Sequence, residues 1–351
     1  MASRFAASRK FELSLSKFLQ MNWIHSFFRF LPTGICQGGI RGLGRLYYLV
    51  NRREQTLIRE TIRRVFQGKI SAARLQRKIR AAFTGIFDHY FEKFLVGYAN
   101  FPKLINFLRK RVRFQGREQL QEALAAGRGV ILVTGHFGLQ EALAAGRGVI
   151  LVTGHFGAVE LLPGALTVHG FPTSMICRFQ STRLRSAQDR RAQKIGLDLI
   201  EPDRGKGLWA SLQALKAGRI LIIECDEFES WRPDPRRGVH FLRHRLPADL
   251  TLELLHRRSG APVVTALLQR DGHRRYTCQL TPVVTGAAPA TSPISERCLE
   301  ILETAVLTHP EQWYQWKEFG KMIKTHREVG YDHPEGGYLA PAPAISLPDQ
   351  A

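Results

Sequence analysis

The chain has 351 residues, a formal net charge of +21 and five cysteines. That length suits one large domain or a domain with an appendage, and five cysteines without CxxC or Cys/His spacing argue against a disulfide framework or a structural zinc site. The charge is uneven: residues 1–119 hold 24 Lys/Arg against 6 Asp/Glu, a net +18, which points to an anionic membrane surface or an acidic protein. Nucleic acid is set aside, because zinc-finger spacing, an RNP-like motif and a recognition helix are all missing.

Phe18 to Phe28 (FLQMNWIHSFF) carries no formal charge, Arg29 interrupts it, and Phe30 to Ile40 continues to Arg41. Neither run reaches the roughly 20 apolar residues that span a bilayer. Aromatic residues bordered by Arg and Lys suit an interfacial helix, so residues 1–50 are expected to anchor the protein on a membrane, with a poor spanning helix as the alternative. A cleaved signal peptide is not expected.

Residues 51–111 read as a helical region, with helices predicted over 54–65 and 70–96. In the second, Leu75, Ile79, Phe83, Phe87, Phe91 and Leu95 recur every four residues and form a core-facing stripe. From Val112 short β-rich runs (130–133, 149–152, 174–177, 220–224, 263–267) alternate with helical ones (159–168, 184–195, 208–217, 250–258). That alternation predicts an α/β domain over 112–335, a mixed sheet covered by helices. The tail over 339–351 (LAPAPAISLPDQA) is rich in Pro and Ala and is expected to be disordered.

Leu120 to Gly138 reads LQEALAAGRGVILVTGHFG, and Leu139 to Gly157 repeats it letter for letter. Two copies without a third argue for a tandem duplication inside one domain rather than a solenoid. Each copy ends an apolar run in a histidine with a glutamate five positions later, giving the pairs His136/Glu141 and His155/Glu160. On one straight helix five residues leave side chains roughly 140° apart. If the histidine instead sits on a strand-to-helix turn, the glutamate could reach back to its ring and leave the other nitrogen free as a general base. With no Ser or Cys nucleophile nearby, the proton would come from a substrate hydroxyl. His240 and His244 have helical i,i+4 spacing, but Arg243 and Arg245 beside them argue against a metal.

The segment GRGVILVTGHFGAVELLPGAL resembles the HxxxxE/D block of the bacterial lipid A late acyltransferases, the lauroyl and myristoyl transferases of the lysophospholipid acyltransferase superfamily. Met175–Leu184, Arg190-Arg191 ahead of Gly196, Ala214–Asp226, Gly260–Thr265 and His309–Trp316 are similar to further family segments, so the resemblance covers about residues 20–325. It implies a glycerolipid acyltransferase-like fold and transfer of a fatty acyl chain to a hydroxyl of a membrane lipid at the cytoplasmic face of the inner membrane. The donor would be an acyl carrier protein or coenzyme A thioester, with no resident cofactor or metal. Carried over residue by residue, the resemblance makes His155 the base and Glu160 its orienting acid, with His136 and Glu141 as the duplicate candidates. Arg178, or Arg190 and Arg191, would grip substrate or oxyanion, and Asp226 would line the site. Asp226-Glu227 replaces the family's frequent Asp-Gln, and Phe241-Leu242-Arg243 stands where Phe-x-Gly is common. The rival readings are a catalytically silent membrane binder disrupted by the duplication, and a hydrolase.

Overall fold

The structure, a computed structural model, describes residues 31–115, 148–178, 182–202, 206–228, 233–272, 274–284 and 292–328. The first repeat with His136, the start of the second with Glu141, the 18–28 run and the tail from Leu339 lie outside them. Four helices lead: α1 (Thr33–Val50), α2 (Arg52–Phe66), α3 (Ala72–Tyr98) and α4 (Phe101–Arg111). Their starts are written locally, since Asn51, Ser71 and Asn100 each accept a hydrogen bond from the backbone N–H three residues on. The α3 stripe is core: Ile79, Phe87, Phe91 and Leu95 are buried, and Leu75 and Phe83 pack partly buried against them.

The chain continues through β1 (Val112–Phe114), β2 (Val149–Thr153), α5 (Leu162–Val168), β3 (Thr173–Ile176), α6 (Thr182–Ile195), β4 (Asp198–Ile200), α7 (Gly207–Lys216) and β5 (Ile220–Glu224). Then come β6 (Pro233–Phe241), β7 (His244–Asp249), α8 (Thr251–Ser259), β8 (Val263–Arg270), β9 (Tyr276–Val284), α9 (Ile294–Thr308) and α10 (Trp316–Glu328). Seven strands form one sheet in the order β1-β9-β8-β2-β5-β3-β4, all neighbours parallel except β8 and β9. The fold is therefore α/β with a mixed, mostly parallel sheet.

Strands β2, β5 and β8 are continuous apolar runs because parallel central strands are covered on both faces; all five residues of β2 are buried. The three-residue strands β1 and β4 are too short to show a period in the sequence. Strands β6 and β7 form a separate two-stranded hairpin. His240 and His244 lie on the paired strands of a hairpin, not on a helix, and the two-residue turn between them is Leu242-Arg243.

Both turn residues have positive φ, 48° at Leu242 and 69° at Arg243, as a type I′ turn requires. Leu242 is fully buried, whereas the Arg243 guanidinium reaches out to the Gln67 carbonyl at 3.0 Å. A left-handed conformation costs a side-chain-bearing residue about 1–2 kcal/mol that glycine avoids. Arg243→Gly, which restores the glycine common in the resembling family, is therefore expected to raise the thermal midpoint. Calorimetry showing a lowered midpoint would mean that the Gln67 contact outweighs the strain.

Candidate active site

Strands β2 and β5 are neighbours in register, with Thr153 opposite Glu224. Carried two residues past the strand ends, that register sets His155 beside Asp226 at the carboxyl edge of the sheet, where open α/β sheets bind ligands. Asp226 accepts from the His155 backbone N–H at 3.0 and 2.9 Å, and its Oδ1 lies 2.8 Å from the ring Nδ1. The Trp313 indole N–H donates to Oδ2 at 2.8 Å. Asp226 is buried, and burial alone would raise its pKa. The charge of His155 and the donors from His155 and Trp313 outweigh this and hold the carboxyl below its ordinary value.

The other ring nitrogen, Nε2, faces two more carboxylates, Glu224 at 3.6 Å and Glu227 at 3.9 Å. Burial pushes the imidazole pKa down, but Glu224, Asp226 and Glu227 prevail and take it up to about 10. Glu224 is itself raised to about 7, by burial against the opposing pull of His155. The charge on the ring thus depends on Glu224. In Glu224→Gln that attraction is gone, so the imidazolium loses stabilisation and the His155 titration midpoint should move down, by roughly a unit or more. NMR titration of labelled histidine reads this directly, and an unmoved midpoint would show that Glu224 does not set the ring's charge.

Glu160 lies in a short 3-10 turn, Val159–Leu161, that swings its carboxylate away from His155 and toward α3. There it pairs with Lys93 at 3.3 Å and His89 at 3.5 Å. The carboxylate on the His155 ring is consequently Asp226, not the glutamate five residues on. His89 is buried, and burial together with Lys93 pushes its pKa well down, so it is neutral. It stacks on Tyr314 (3.4 Å between centroids), whose ring meets His155 edge-on at 4.9 Å. Sequence reasoning missed His89, Lys93, Glu224, Trp313 and Tyr314 as site residues. The signal for the last two was the Trp-Tyr pair inside the family-like His309–Trp316 segment.

His155, Glu160, Lys93 and Glu224 line a cavity of about 470 Å³ whose walls include Ile86, Leu104, Leu108, Val159, Met175 and Leu199. A second cavity, of about 220 Å³, is lined by Ser211, Asp249, Thr251 and Leu254 and shares Cys177, Arg178, Glu224 and Glu227 with the first. Arg178 thus stands where the two meet. Arg190 is exposed. Arg191 also borders the large cavity, but its guanidinium is engaged at the end of α3, donating to the Val96 and Ala99 carbonyls at 2.8 and 2.6 Å, which closes carbonyls a helix end leaves open.

No serine or threonine among the described residues lines the large cavity. The Cys177 thiol, which does, is pushed up to about 12 by burial and by Glu224, so it stays protonated and is a poor nucleophile. His155, Glu224 and Glu227 also place ligand atoms within 4.8 Å of one another, a set able to hold a divalent cation. A cation there would occupy Nε2.

A histidine fixed at Nδ1 by a carboxylate thus borders a cavity lined by both apolar and charged side chains. The profile of the bacterial lipid A biosynthesis acyltransferase family matches residues 13–142 and again 138–318, and the chain belongs to that family. The two matches overlap inside the duplication, so each carries one complete copy of the repeated block. No curated protein matches the chain.

Proposed function

We propose that the protein transfers a fatty acyl chain from an acyl carrier protein thioester directly to a hydroxyl of a lipid A precursor, with His155 as general base. The observation that carries this is the His155 ring itself, held at Nδ1 by Asp226 and bordering a cavity of about 470 Å³ whose apolar wall, with Ile86, Leu104, Leu108 and Leu199, suits a fatty chain. Nε2 takes the proton of the acceptor hydroxyl as its oxygen bonds to the thioester carbon. The carbon–sulfur bond then breaks, and the imidazolium returns the proton to the departing thiolate. Nε2 must be unprotonated beforehand, and protonation of Glu224, whose own proton affinity burial raises, removes the strongest of the attractions that keep the proton on the ring. Arg178, at the junction of the cavities, is suited to the anionic groups of either substrate. The basic first third of the chain suits an acidic carrier protein and an anionic lipid surface.

Among the described residues no helix is long and apolar enough to cross a membrane. Helix α1 instead exposes Ile35, Leu46, Leu49 and Val50 beside the exposed Arg45, Arg52 and Arg53, a pattern suited to peripheral binding at the cytoplasmic face of the inner membrane. One experiment tests both parts. Purified protein is given vesicles carrying a lipid A precursor, with carrier-protein or coenzyme A thioesters of several lengths, and the lipids are read by mass spectrometry. An acylated precursor is expected with the carrier-protein donor, and an unchanged lipid profile with every donor would instead favour the silent binder. In the same vesicles, Leu46, Leu49 and Val50 replaced together by Ser should weaken co-flotation several-fold; undiminished flotation would move the anchor elsewhere.

A further inference from the structure

We infer that the buried pair of Glu92 and Arg270 positions the His155 turn, acting on the base through the backbone rather than on substrate; this rests on His155 being the base. The turn is held at almost every peptide group. The His155 N–H goes to Asp226, the His155 carbonyl accepts from Tyr314 N at 3.2 Å, and the N–H groups of Gly157 and Ala158 donate to Gln312 and Leu268 carbonyls at 2.7 and 2.8 Å. Gly157 has φ of 61°, and a Cβ there would overlap the Leu268 carbonyl, so the turn lies directly against β8. The Gly157 carbonyl is held by a side chain: Arg270 Nη2 donates to it at 2.6 Å.

Arg270 ends β8, and Glu92 on α3 grips its guanidinium with two bonds of 2.7 Å. Glu92 is 1% exposed. The backbone of Arg270 is tied in turn to the Gln312 side chain, at 2.8 Å through its N–H and 3.3 Å through its carbonyl. Arg270 therefore joins the base turn and the helix that carries His89 and Lys93 through its guanidinium, and the segment that carries Trp313 and Tyr314 through its backbone. As a stabiliser such a pair is a poor choice, because desolvating two charges offsets most of their attraction. What two apolar side chains of similar size could not supply is the third hydrogen bond, to Gly157. The fork geometry of arginine makes three directed bonds at once, which a lysine cannot.

The same helix provides a control. One turn earlier, Asp88 grips Arg41 with two bonds of 2.7 Å, and neither residue bonds the turn. The test compares an apolar double variant, Glu92→Met with Arg270→Met, with Arg270→Lys and with Asp88→Asn, by steady-state acyl transfer and thermal midpoint on the full chain. The double variant and Arg270→Lys should lose kcat by roughly 10- to 100-fold, the scale of a misplaced catalytic group, with KM for both substrates nearly unchanged. Asp88→Asn should lower the midpoint and leave kcat near wild type. A folded double variant with wild-type kcat overturns the inference, as does Asp88→Asn lowering kcat as much as the Arg270 variants do. Should the double variant fail to fold, Arg270→Lys decides alone: reduced kcat with retained KM supports positioning, and unchanged kcat refutes it. Failure here with His155→Ala still inactive would leave the proposed base intact.

Discussion

His155→Ala is expected to lower acyl transfer by roughly 10²- to 10⁴-fold, the range for loss of a general base, while His136→Ala leaves it near wild type. Letter-for-letter identity of the copies makes this a real choice, since Val130–Thr134 could in principle enter the sheet where Val149–Thr153 lies. The residues downstream of each copy decide. After His155 the chain buries Ala158, Leu161, Leu162, Ala165 and Leu166 completely. Shifted by one repeat, the residues after His136 would place Gln140 at the Val159 position, Ala142 at Leu161 and Arg147 at Leu166. An unpaired guanidinium in a fully buried leucine site costs several kcal/mol, and alanine for a core leucine about 2–5 kcal/mol more. Deleting one copy gives the same polypeptide whichever is removed, and that shortened protein should keep wild-type transfer. An inactive deletion together with an inactive His136→Ala would show that the first copy does the chemistry.

The sequence makes plain what local physics writes. Strands β2, β5 and β8 are legible as apolar runs because central parallel strands bury both faces, and α3 is legible because its stripe faces one core. His155 is legible as the residue just past such a run. The partner of its ring is not, because Asp226 lies 71 positions away and reaches Nδ1 only through the adjacency of β2 and β5. Nothing local encodes that adjacency; resemblance alone brought Asp226 into view. The spacing of Glu160 suggested the nearer carboxylate, but a single 3-10 turn redirects it to Lys93 and His89. Arg191 shows the same limit in reverse: family-like in sequence, it closes the end of α3 in the structure.

That contrast makes Asp226→Asn and Glu160→Gln a decisive pair. Asp226 accepts from three donors: the ring, the His155 N–H shared between its two oxygens, and the Trp313 indole. An asparagine has one acceptor oxygen for these donors and turns an NH₂ group toward the rest. Presented with a donor, Nδ1 becomes the acceptor and the ring proton moves to Nε2, the nitrogen that must be bare to act as base. A fall in kcat of roughly 10²- to 10⁴-fold is expected, and the midpoint should drop because each buried donor left unpaired costs about 1–3 kcal/mol. Glu160→Gln keeps the shape of the side chain and weakens its pairing with Lys93 and His89 but touches no contact of the His155 ring, so its effect should be smaller and fall more on KM, on the cavity wall rather than on the proton. Were steady-state kinetics to give the opposite order, with Glu160→Gln the slower enzyme and Asp226→Asn nearly normal, Glu160 would have to leave Lys93 and reach the ring when substrates bind, and Asp226 would serve the fold of the turn alone.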